Sequence, residues 1–114
     1  MLARLFIKGS LKNQPNGFSF QLKNIIDSGT VIGVGAITVD EQGYEPSQIT
    51  LKIGETETPA ISISRENPLY ARSMAVIEVR VQAEPLAPGP HSLAMQIQTR
   101  EAGRLQFTAS DTLG

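Results

Sequence analysis

Along much of this chain apolar and polar side chains take turns. Phe18, Phe20 and Leu22 alternate with Ser19, Gln21 and Lys23, and Ile49, Leu51 and Ile53 alternate with Thr50 and Lys52. Ile77, Val79 and Val81 do so against Glu78, Arg80 and Gln82, and Leu93, Met95 and Ile97 against Ser92, Gln96 and Gln98; Leu105, Phe107 and Ala109 complete the set. A period of two sends successive side chains to opposite sides of a pleated strand, so each run predicts a strand with one buried and one wet face. The stretch from Val31 to Val39 is apolar in both phases and holds Gly33 and Gly35, which predicts a central strand with a bulge or a close backbone neighbour.

Punctuation between the runs agrees with strands. Pro15-Asn16-Gly17, Asp40-Glu41-Gln42-Gly43 and Glu101-Ala102-Gly103-Arg104 each put glycine where a bulged hairpin wants positive φ. About eight strands are predicted, at 2–12 with a kink near Gly9, 18–24, 30–39, 48–53, 59–63, 75–82, 91–100 and 105–110. Helix signals are nearly absent: Asn67 as a cap followed by Pro68 predicts about one turn through Arg72, inside a non-strand stretch from Ser64 to Met74. Short, evenly spaced strands with turn residues between them predict an all-β fold, an immunoglobulin-like two-sheet sandwich of about eight antiparallel strands in one domain over residues 1–114.

Composition sharpens the picture in two ways. Ile, Val and Thr together supply 25 of the 114 residues, as β-structure favours. Charged residues are only 18% of the chain, below the roughly 25% usual for globular domains, which hints at a covered surface. Lys and Arg count 10 against 11 Asp and Glu, so there is no field to draw nucleic acid or anionic lipid, and little charge to keep copies of the chain apart. The chain has no Cys, hence neither a disulfide framework nor a thiolate. Arg4 and Lys8 interrupt the apolar start, and no run of 18 apolar residues occurs; the expectation is a soluble, cytoplasmic protein without membrane contact.

Candidate chemistry is sparse. Gly33 and Gly35 are not followed by a helix start or a Gly-Lys-Ser/Thr signature, which argues against a nucleotide loop. His91 is the only histidine, no calcium-loop run of acids exists, and the serines show no nucleophile-elbow pattern. No catalytic residue, cofactor or metal site is therefore expected, and the chain is read as non-catalytic on its own. Leu86, Pro88, Gly89 and His91 lie between two well-marked strands near the C-terminus and are read as a structural corner between the two sheets, with His91 tying the corner through a backbone hydrogen bond. A functional role for His91, including a site built between chains, stays open beside that reading. In the long stretch, Leu69, Tyr70, Arg72 and Met74 are candidate partner contacts, because aromatic, Met and Arg side chains are enriched at interfaces. The alternative is that Leu69 and Tyr70 cover an open end of the sandwich.

Several stretches in order, Ser10-Leu11-Lys12-Asn13, Gly17-Phe18-Ser19-Phe20-Gln21-Leu22-Lys23-Asn24, Ile37-Thr38-Val39-Asp40, Pro46-Ser47-Gln48-Ile49 and Leu86-Ala87-Pro88-Gly89-Pro90-His91, resemble the small β-sandwich (beta) subunit of bacterial C-glycoside deglycosidases. The resemblance implies an accessory subunit that packs against a larger barrel-type, sugar-active partner carrying the metal and the catalytic base; no catalytic residue carries over to this chain. Two other classes remain. One is a self-assembling homo-oligomer using edge strands and low charge; the other is a small-ligand or carbohydrate-binding module, which the lack of Trp and the presence of only two Tyr disfavour.

Overall fold

A computed structural model describes residues 5–24 and 28–114. Its strands, in chain order, are β1 (Lys12–Gln14), β2 (Gly17–Lys23), β3 (Gly29–Val39), β4 (Gln42–Tyr44), β5 (Ile49–Ile53), β6 (Thr56–Pro59), β7 (Leu69–Ala71), β8 (Val76–Gln82), β9 (Gly89–Thr99) and β10 (Gly103–Leu113). They form two antiparallel sheets. The first runs β1-β2-β8-β5-β6 and the second β10-β9-β3-β4, with β7 also paired to β3. An order in which the second and eighth strands are central to one sheet, and the third and ninth to the other, is that of an immunoglobulin-like sandwich.

The alternation read from the sequence is what closes the core. Phe18, Phe20, Val79, Ile49 and Leu51 line the inner side of the first sheet, and Ile37, Val39, Leu93, Met95 and Phe107 line that of the second. Phe18 packs edge-on to Tyr44 at 5.3 Å between ring centroids, bridging the two layers. Two bulges interrupt the pairing of β3 with β9, between Val31 and Gly33 and between Val34 and Ile37. There a side chain at Gly35 would press within 3.3 Å of the Gln96 Cβ, so glycine lets the neighbouring strand lie close.

Four sequence expectations are corrected. The strand expected over 2–12 is partly outside the described residues; its described part makes one bridge, Phe6 to Leu22, turns at Gly9 (φ 87°), and becomes a strand only at Lys12. The strand expected at 59–63 ends at Pro59 and continues as a 3₁₀ turn, because Ile63 closes back on the Ala60 carbonyl. The hairpin at 40–43 does not use Gly43 for positive φ: Asp40 and Glu41 adopt φ 51° and 76°, a two-residue turn of the kind that matches strand twist, and Gly43 pairs with Thr38 in β4. The helical turn expected near Asn67 is instead a bend leading into β7, whose backbone is satisfied by the edge of β3. That pairing places a strand inside the segment read as a loop.

Candidate functional site

Polar groups concentrate where β8 passes to β9. His91 points inward from β9 and is buried. Its Nε2 lies 2.7 Å from the Ala87 carbonyl and its Nδ1 2.5 Å from an Asp40 carboxylate oxygen. Asp40 is held in turn: its other oxygen accepts the Ser92 N–H at 2.9 Å, and its own N–H donates to the Ser92 carbonyl at 2.9 Å. A carbonyl and a carboxylate both accept, so the arrangement favours a hydrogen on each ring nitrogen, the imidazolium form. The Ala87 carbonyl and then Asp40 hold the His91 pKa above its ordinary value; the Ser92 N–H and then His91 hold Asp40 below the usual carboxylate range. With both nitrogens engaged as donors, the ring offers no lone pair for general-base work.

The other corner residues surround this pair. Gly89 turns the chain at φ 117°, a conformation that favours glycine. Leu86 packs partly buried against the core and is clamped to the N-terminal side by Asn13, whose amide donates to the Leu86 carbonyl at 3.0 Å and whose carbonyl accepts the Leu86 N–H at 2.9 Å. Pro88 is exposed. Directly across from His91 in the β9–β10 register is Asp111, also buried. Its carboxylate accepts from Gly9 N–H at 2.9 and 3.0 Å, Leu11 N–H at 3.1 Å and Thr112 N–H at 3.0 Å, which fastens the N-terminal segment to the second sheet. Sequence reasoning missed Asp40 and Asp111. Asp111 had a signal: it is the one charged residue in the inward phase Leu105, Phe107, Ala109, Asp111, Leu113.

At the other end of the sandwich, Glu101 accepts from the Thr30 N–H at 2.9 Å and the Thr30 hydroxyl at 2.7 Å, and those bonds hold its carboxyl below the usual range. It borders an apolar cavity of about 170 Å³ between the sheets, with Leu22, Val31, Ile77 and Ile97 in its walls. The candidate contact residues are divided. Leu69 packs against the core, whereas Tyr70 and Met74 are 65% and 57% exposed and Arg72 is exposed as well. Asn24 pins this edge by donating to the Ala71 and Arg72 carbonyls at 3.0 and 3.2 Å. The hydrogen-bond partners of His91 and Asp40 are each other, Ala87 and Ser92, none of which lies on the Tyr70–Met74 edge. Among the described residues no group of three or more His, Cys, Asp or Glu could hold a metal ion, and no helix is long and apolar enough to cross a membrane.

The family model described as hydroxymethylglutaryl-CoA reductase, N-terminal domain, matches residues 1–114. The chain belongs to this family. The match overturns the resemblance to the deglycosidase small subunits. Of the stretches that carried that resemblance, Gly17–Lys23 is the whole of β2 and the others lie at strand ends and turns of the sandwich, which unrelated small sandwiches share for the same physical reasons. No curated protein matches the chain.

Proposed function

We propose that this chain is a non-catalytic accessory domain that packs on the catalytic body of a reductase-type protein in the cytoplasm, either joined to it or as a separate chain. The observation that carries the reading is the family match over the whole length to a domain named as the N-terminal part of hydroxymethylglutaryl-CoA reductase. The corner supports it: the only histidine is a buried double donor, committed to Asp40 and Ala87. The edge carrying Tyr70, Arg72 and Met74, with Leu69 anchoring it from beneath, is the contact surface in this reading, because two large apolar side chains stand exposed beside a cation there.

The test is a binding and turnover assay with the reductase body from the same organism, using hydroxymethylglutaryl-CoA as substrate. The domain alone is expected to give no turnover and to bind the body. The double variant Tyr70→Glu with Met74→Glu is expected to keep its circular dichroism spectrum and lose that binding. Turnover by the isolated domain that one substitution abolishes without unfolding it would overturn the reading, as would wild-type domain that never associates with the body.

A further inference from the structure

The outward face of the second sheet is almost without charge. In the β9–β10 register the outward pairs are Ser92 with Ser110, Ala94 with Thr108, Gln96 with Gln106 and Gln98 with Arg104. β3 extends the face by setting Thr38 beside Ala94 and Gly33 beside Gln98. Across β3, β9 and β10 the single charge among these positions is Arg104, at the far end. The side chains are small at the opposite end, where Thr38, Ser92, Ala94, Thr108 and Ser110 form the floor of a shallow trough. Lys8 borders that trough on the β10 side, next to Gly9, which bonds to Asp111, and Glu41 borders it on the β3 side, in the β3–β4 turn; both are exposed.

From this placement we propose that the outward face of the second sheet is a self-docking surface on which two copies of the chain pair about a two-fold axis parallel to the strands. Such an axis exchanges the sides of the trough, so Lys8 of one copy meets Glu41 of the other. A trough with one cation and one anion at opposite sides and a neutral floor complements itself under that operation, as a closed, isologous interface requires. Serine, threonine and alanine let two sheets approach to about 10 Å in aligned packing, while the hydroxyls and the Gln96 and Gln106 amides bond across the interface directly or through water. Three strands of 11 residues each cover about 540 Å² per copy, and the resulting total of about 1,080 Å² clears the roughly 1,000 Å² that a specific interface needs and belongs to the small, reversible end of the range. Tyr70 pairs with Thr30 at the end of β3 opposite the trough, on a strand outside the three that form the proposed interface, so the pairing does not rest on the accessory reading.

Sedimentation velocity over a concentration series tests it. Wild-type chain is expected to sediment as a dimer in a concentration-dependent equilibrium, and Ala94→Arg to sediment as a monomer with an unchanged circular dichroism spectrum. Should Ala94→Arg fail to fold, Thr108→Glu, at an exposed position on the same floor, is expected to give the monomer. Lys8→Glu is expected to weaken the dimer at least tenfold and Lys8→Glu with Glu41→Lys to restore it. A chain that stays monomeric at every concentration overturns the proposal. So does a dimer that a folded Ala94→Arg or Thr108→Glu variant does not disturb, or one that the double reversal fails to restore.

Discussion

The outer faces of the two sheets have the same backbone and opposite chemistry. On the first sheet one row across four strands reads Gln21, Glu78, Lys52, Glu57, so opposite charges stand directly beside each other. Arg80, one row away, pairs with Glu57 at 3.4 Å and with Glu78 at 3.2 Å. On the second sheet the equivalent rows hold Ser, Thr, Ala and Gln, with Arg104 alone at the margin. The low charge of the whole chain is thus not spread evenly: it is concentrated on one face. A face whose charges satisfy one another is built for water, whereas a flat neutral face gains by being covered. Composition alone hinted at a covered surface; the register shows which face of the sandwich is poor in charge.

Inside, the two sheets are expected to be equals, and breaking that equality would give the largest effect. Phe20 from the first sheet and Phe107 from the second are both buried in one continuous core. Phe20→Ala and Phe107→Ala are each expected to destabilise the domain by about 3–5 kcal/mol in chemical denaturation. A Phe107→Ala cost far below that of Phe20→Ala would mean that the second sheet is held from outside rather than through the core.

The next effect concerns how the layers are tied at one side. Asp111 takes three backbone N–H groups, two of them from the N-terminal segment that bridges to the first sheet through Phe6. Asp111→Ala leaves the buried Leu11 N–H without its acceptor and is expected to cost about 1–3 kcal/mol. Hydrogen exchange should show the loss at Gly9 and Leu11 first; unchanged protection there would break the idea that one carboxylate couples the sheets.

The corner adds a pH dependence that belongs to the second sheet alone. His91 has its pKa raised in the folded chain, so its contribution is fully present below the unfolded value near 6.5 and disappears as pH rises through the folded value. Asp40 is shifted the other way, so its contribution is present above about 3.8 and disappears as pH falls through its folded value. The melting temperature is therefore expected to be highest between these limits and to fall on the alkaline side. In Asp40→Asn the alkaline fall should be smaller, since one of the two acceptors that favour the imidazolium is neutral. A melting curve that is flat above pH 6.5, or that falls equally in wild type and Asp40→Asn, would sink this account.

How much of this was legible beforehand follows the length over which a pattern repeats. β2, β5, β8, β9 and β10 each carry at least two full alternations, and their inward residues are the ones that fill the core. β4 and β7 have three residues each, too few for a period, and exist because β3 offers them an edge. That the chain turns at Gly89 before β9 could be read from Pro88-Gly89. The Asp40 partner could not, because it is brought to His91 by the β3–β9 pairing, 51 residues away. The charge-free face was equally hidden: polar positions were visible in β9 and β10, but only the register aligns Ser92 with Ser110 and Ala94 with Thr108.

The smallest expected effect lies on the charged face itself. Arg80 and Glu57 are 38% and 54% exposed, so water screens their attraction and both side chains give up rotamer freedom to meet. A double-mutant cycle on Arg80→Ala and Glu57→Ala is expected to return about 0.2–1 kcal/mol, shrinking further in high salt. The small value is itself the sharpest form of the contrast. If the ladder on the first sheet adds so little to folding, its charges do not hold the sandwich together; they keep that face in water. A coupling well above 1 kcal/mol that survives high salt would instead make the ladder a structural device, and the neutral rows of the second sheet would then signify only the lack of one.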